Sequence, residues 1–155
     1  MSSYHGDDML GVDARRELLE SLRVAILSHL DREKVNIEDL YLVGSGISGV
    51  AMASVLSYML KCRWGFVRKY TDIDNHGNNG RGSACWEDYI IAVDDFVHSG
   101  DTMRRIAQDI EIDAVAVDSI HKKERAKWVY RMICMPSIKV ITPHDYYPKE
   151  TEPCE

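Results

Sequence analysis

The chain has 155 residues, 45% of them apolar and 28% charged, which is enough sequence and an ordinary composition for a single domain with a buried core. A net charge of −6 argues against a nucleic-acid partner, and no apolar run approaches the ~20 residues that a membrane-spanning helix needs. The four cysteines, Cys62, Cys85, Cys134 and Cys154, have neither CxxC nor metal-ligand spacing, and the start is polar and acidic rather than signal-like, so reduced thiols and a cytoplasmic protein are expected.

Residues 1–12 and 148–155 are polar or acidic and are expected to be flexible ends of the single domain, 1–155. Asp13 is a candidate N-cap for a helix reaching about Leu30. Leu18, Leu22, Ile26 and Leu30 form an apolar stripe on it, and Leu19 and Leu27 widen that stripe. Such a stripe suits a core helix or a dimer helix.

Asp39–Val43 reads as the first strand. The segment 44–49, Gly-Ser-Gly-Ile-Ser-Gly, then forms a loop before a helix from Val50 to Leu60. Glycines between a strand and a helix serve two chemistries. One is the dinucleotide fingerprint, which expects an acid at the end of the next strand. The other is an anion cradle of backbone amides. The next strand, Trp64–Val67, ends instead in Arg68-Lys69, a pair suited to a pyrophosphate and still compatible with a 2′-phosphate. Residues 70–87 are polar and glycine-rich, with His76 and Arg81, and a loop this long in a compact domain is expected to be a functional lid or a disordered segment.

Residues 89–103 hold the densest chemistry. Tyr89–Val93 is a buried-strand run, ended by Asp94 and Asp95. His98, Ser99, Gly100, Asp101 and Thr102 follow as a tight polar loop, and a helix then runs to about Asp109. Two carboxylates at the carboxyl end of a strand accept hydrogen bonds from sugar hydroxyls, or hold a divalent cation through water. A Ser/Gly/Thr loop opening a helix takes a phosphate. Asp113–Val117 is the next strand, and 121–135 reads as a helix ended by Pro136. Lys122, Lys123, Arg125, Lys127 and Arg131 form its solvated side, and Trp128 suits core packing better than base stacking. Ile138–Ile141 is the last strand. Alternating strands and helices predict an α/β fold with a mostly parallel sheet and right-handed crossovers.

Ile90–Thr102 resembles the phosphoribosyl-pyrophosphate-binding motif of the type I phosphoribosyltransferases: four apolar residues, two acids, two apolar residues, then a short phosphate loop. Phe96 is bulkier than the aliphatic usual there, and Asp101 places an acid in the phosphate loop. Val67-Arg68-Lys69 and His76-Gly77 resemble segments of the orotate enzymes, although the lysine those enzymes carry shortly before His-Gly is missing here. The resemblance spans residues 39–142 and implies the family fold with a small hood, built from the N-terminal residues and the segment after Val140.

The implied reaction moves a 5-phosphoribosyl group from phosphoribosyl pyrophosphate (PRPP) to a nitrogenous base, releasing pyrophosphate with the aid of Mg2+. It implies catalytic parts for Asp94, Asp95, Lys69, His76 and His98. Ser45, Gly46, Ile47, Ser48, Gly49, Arg68, Lys69 and Arg81 would bind pyrophosphate, and His98 to Thr102 the 5′-phosphate. Asp94 and Asp95 would hold the metal indirectly, through ribose or water. His98 suits either a contact to the acceptor base or a hydrogen bond to the phosphate. Homodimerisation is also implied. Two other readings stay open: a sensor of PRPP or a nucleotide without turnover, and a small NADP-binding protein.

Overall fold

The computed structural model describes residues 12–68, 87–97, 100–120 and 138–143. The first helix, α1, is Val12–Glu33. Asp13 lies inside its first turn rather than at the N-cap, where its carboxylate still complements the helix dipole. Leu18, Leu19, Leu22, Ile26 and Leu30 are buried as the spacing requires. Leu27 is exposed instead, because it is rotated about 100° from Ile26 and leaves the buried arc. The stripe is therefore core, and does not supply the dimer contact it was compatible with. Lys34 closes the helix at φ 60°, and the Val35 amide donates to the Leu30 carbonyl at 3.0 Å.

A 3-10 turn at Ile37–Asp39 leads into β1, Leu40–Ser45, buried along its whole length. The next helix, α2, is Gly46–Leu60, so it begins four residues before the expected start at Val50. The glycine-rich segment is a strand end joined directly to a first helical turn. Gly44 and Gly49 make that junction possible. A Cβ on Gly44 would stand 2.2 Å from the Gly49 carbonyl oxygen, and one on Gly49 would stand 3.0 Å from the Val93 carbonyl oxygen. Without those side chains the first turn of α2 rests on strand backbone.

The remaining elements are β2 (Arg63–Val67), β3 (Tyr89–Val97), α3 (Asp101–Asp109), β4 (Ala114–Ile120) and β5 (Lys139–Ile141). β3 does not end at the two acids. β4 runs alongside it and pairs Asp94 with Val117, Phe96 with Ser119 and Val97 with Ile120. The helix expected over 121–135, most of the 70–87 segment and most of the hood lie outside the described residues.

The five strands are parallel throughout, in the order β2-β1-β3-β4-β5. Alternate residues sort into two cores. Leu40, Leu42, Ile91, Val93, Ala114 and Ala116 pack with α1 and α2 on one face. Tyr41, Val43, Ile90, Ala92, Val115 and Val117 pack with Met103 and Ile106 of α3 on the other. The chain steps from β1 through α2 outward to β2, and from β3 through α3 the opposite way to β4. Right-handed crossovers in opposite directions place their helices on opposite faces. The point of reversal, between β1 and β3, is where open α/β sheets bind ligands.

The amino ends of the strands are held by polar pairs. His29 Nε2 lies 2.8 Å from the Tyr89 hydroxyl, and the Asp113 carboxylate accepts the Ile90 amide at 2.8 Å. Arg63 pairs with Asp88, and Lys139 with Glu33. With that edge fixed, the carboxyl edge is left for chemistry.

Candidate active site

β1 pairs with β3 only as far as Gly44 opposite Val93. β1 then turns into α2 while β3 continues, so the acids emerge at the reversal point, between β4 and the start of α2. Asp94 is 7% exposed. Its Oδ1 accepts the Ser48 hydroxyl at 3.3 Å and the Asp95 amide at 3.0 Å. Burial first, and then the neighbouring Asp95, push its pKa up to about 7, against the lowering effect of the Asp95 amide and Ser48. The carboxyl is thus poised to gain from any donor or cation that arrives. Asp95 is half-buried beside it.

The cradle is the first turn of α2. Ser45 occupies the N-cap in an extended conformation, and Gly46 follows at φ 71°. Ser45 is 3% exposed, its side chain makes no cap hydrogen bond, and its Oγ has no partner. A buried hydroxyl in that condition, beside the unpaired amides of a helix start, makes a set of donors for an anion. Ile47, at the lip, is 95% exposed. The Ser48 hydroxyl ties the cradle to Asp94, a link that a separation of 46 residues hides in the sequence and that leaves the Ser48 backbone amide in the cradle.

Arg68 follows directly on Val67, whose register partner is Ser45, so it stands at the sheet edge beside the cradle. Its guanidinium lies 5.9 Å from the centroid of the Phe66 ring. Gly100, at φ 76°, caps α3, and its carbonyl accepts the Arg104 amide at 2.9 Å. Asp101 is turned outward, accepting Arg104 Nη2 at 2.7 Å, so its charge is offset by a base on its own helix. Thr102 is half-buried in the same first turn. The structure thus joins Ser45, Gly46, Ser48 and Gly49 to Asp94 and Asp95, with Arg68 on the adjacent strand end and Gly100 to Thr102 opening the helix that follows β3. Lys69, His76, Arg81, His98 and Ser99 lie outside the described residues. Among the described residues, no three His, Cys, Asp or Glu side chains cluster as a metal site.

An all-parallel sheet with this strand order, an acid pair at its reversal point and helix starts on either side defines the type I phosphoribosyltransferase fold, and the solved structures similar to this chain have that fold. The orotate phosphoribosyltransferase of Aeropyrum pernix aligns at TM-score 0.59 and 16% identity, over 90% of this chain and 76% of that one. The adenine phosphoribosyltransferase of Rhodothermus marinus aligns at TM-score 0.63 and 16% identity, over 87% and 81%. That of Trypanosoma brucei, solved with AMP, pyrophosphate and ribose-5-phosphate, aligns at TM-score 0.55 and 13% identity, over 93% and 78%. No family model and no curated protein matches the sequence. No helix among the described residues is long and apolar enough to cross a membrane.

Proposed function

We propose that this protein is a cytoplasmic, PRPP-dependent phosphoribosyltransferase that moves a 5-phosphoribosyl group to a nitrogenous base and releases pyrophosphate. The observation that carries the reading is the buried Asp94 carboxyl, hydrogen-bonded to Ser48 on a helix start whose N-cap hydroxyl is buried and unpartnered. One compact edge thus offers acceptors to a sugar and donors to an anion.

Cleavage at the anomeric carbon leaves positive charge on the ribose ring and negative charge on the departing pyrophosphate. Asp94 and Asp95 accept the ribose hydroxyls and set a negative field beside the ring. The amides of Gly46 to Gly49, the Ser45 hydroxyl and Arg68 receive the pyrophosphate. Gly100 to Thr102, with His98 and Ser99, hold the 5′-phosphate, so binding energy far from the reacting bond positions the sugar. Lys69 and Arg81 fall to the leaving group in the same scheme, and His76 keeps the catalytic part that the resemblance implies. Asp94 and Asp95 would hold Mg2+ indirectly, through ribose or water, since this ion keeps much of its shell from water and phosphate. Such an ion would supply positive charge against the pyrophosphate.

The test is Mg2+-dependent pyrophosphate release from PRPP against a panel of purines, pyrimidines and orotate. Release with one base class is the expected result. Thermal stabilisation by PRPP without turnover on any base would make the protein a sensor, and stabilisation by NADPH alone would make it a dinucleotide binder.

A further inference from the structure

Two buried side-chain atoms among the described residues have no hydrogen-bond partner, and the proposed chemistry uses one of them, Ser45 Oγ. The other is Nη1 of Arg105. A guanidinium carries five N–H donors and stays charged, so a buried donor on it that meets no acceptor calls for an explanation. Arg105 lies in α3, one turn past Thr102. Both are half-buried on the same side of the helix, beside the buried Met103 and Ile106. Acids stand one turn away in either direction, Asp101 and Asp109, and neither accepts Nη1. The Asp101 carboxylate is taken by the exposed Arg104 instead. Helical side chains lean toward the amino end of their helix, and Arg105 stands only about 4.5 Å of rise below Thr102. That lean carries its guanidinium toward the first turn of α3, at the carboxyl edge of the sheet.

That turn is short of acceptors. Gly100 at the N-cap has no side chain, so no side-chain cap serves the first amides. Two bases, Arg104 and Arg105, against one acid, Asp101, leave residues 101–105 with a net charge of +1, added to the positive end of the helix dipole. The ligand that answers all of this is a compact anion with several oxygens, some facing the fork of Arg105 and others the amides. We propose that Arg105 binds the phosphate monoester of the sugar, and that it makes the site select phosphorylated over unphosphorylated ribose. The identity of the sugar rests on the phosphoribosyl reading, and Arg105 is the side chain that enforces its 5′-phosphate. Ser45 and Arg105 then have matching parts. Each is a buried donor left open beside a helix start, on opposite faces of the sheet, one for each phosphate end of the donor.

Isothermal titration of the full chain with ribose-5-phosphate, without base or turnover, tests it. Wild type is expected to bind ribose-5-phosphate and to bind ribose far more weakly. Arg105→Gln is expected to weaken ribose-5-phosphate by ~10-fold or more, and Arg105→Lys to recover part of that loss. Inorganic pyrophosphate, held at α2, should stay within ~2-fold in both variants. Arg104→Gln removes an exposed charge one residue away and should leave ribose-5-phosphate within ~2-fold as well. Because Arg105→Gln takes away an unpaired donor, the urea midpoint of the ligand-free chain should not fall. A wild type that treats ribose-5-phosphate and ribose alike, an Arg105→Gln chain that binds as wild type does, an equal loss in Arg104→Gln, or a lowered midpoint would each overturn the assignment. The transferase reading is judged separately. This binding pattern without pyrophosphate release from PRPP on any base would remove the transferase and leave Arg105 in its part, and release with affinity unmoved in Arg105→Gln would do the reverse.

Discussion

Asp94→Asn separates what the site needs from what the fold needs. The folded-state pKa of Asp94 is raised from 3.8 to about 7, with burial as the main cause. The folded chain therefore binds this proton more tightly than the unfolded chain does, and stability falls as pH rises from about 4 to about 7, then levels off. The rise from 3.8 to about 7 corresponds to about 2–4 kcal/mol. Asparagine keeps an oxygen for the Ser48 hydroxyl and removes the buried charge. Urea unfolding of the ligand-free variant and wild type at pH 8 and pH 4 reads the effect. The variant is expected to be the more stable at pH 8 by about 2–4 kcal/mol, with most of that difference gone at pH 4. Equal differences at the two pH values, or a variant destabilised at pH 8, would show that the carboxyl is not held against its charge. Pyrophosphate release should meanwhile be lost, because the ribose loses an anionic acceptor.

Other substitutions probe the remaining parts. Ser48→Ala removes one hydrogen bond to Asp94 and is expected to lower kcat/KM by ~10-fold or more, with Ser48→Thr recovering part of it in the same steady-state assay. Arg68→Ala should raise KM for PRPP and weaken product inhibition by pyrophosphate, each by ~10-fold or more, as inhibition constants would show. Gly44→Ala forces a Cβ against the Gly49 carbonyl oxygen and should cost about 3 kcal/mol or more in urea unfolding. Tyr89→Phe strips the buried His29 of its partner and should cost about 1–3 kcal/mol. Burial also lowers the His29 pKa, so its contribution to stability is present above the unfolded value of 6.5 and is lost as pH falls below it, a dependence that His29→Gln should flatten.

The parallel sheet was legible because each strand is a short apolar run between helical patterns, and the acid pair was legible because nothing in a buried strand explains two adjacent carboxylates. The boundaries were less so. Gly44 to Gly49 looked like a loop because glycine marks turns. Here the small residues allow backbone to lie on backbone, a tertiary fact that propensity does not contain. The two acids looked like a strand end because carboxylates disfavour strands, but β4 extends alongside and keeps the pairing going. Leu27 looked like core because periodicity cannot tell how wide the buried arc is. The Ser48 link to Asp94 and the unpartnered Nη1 of Arg105 need the packed structure, since one joins distant segments and the other is a matter of burial that the adjacent Arg104 and Arg105 do not reveal in sequence.

The most direct measurement is a crystal of the protein soaked with PRPP and Mg2+. The ribose hydroxyls should lie within hydrogen-bond distance of Asp94 and Asp95, with the pyrophosphate on the Ser45 hydroxyl and the amides of the first turn of α2. Density for PRPP elsewhere, or a cradle left empty at saturating ligand, would contradict the account.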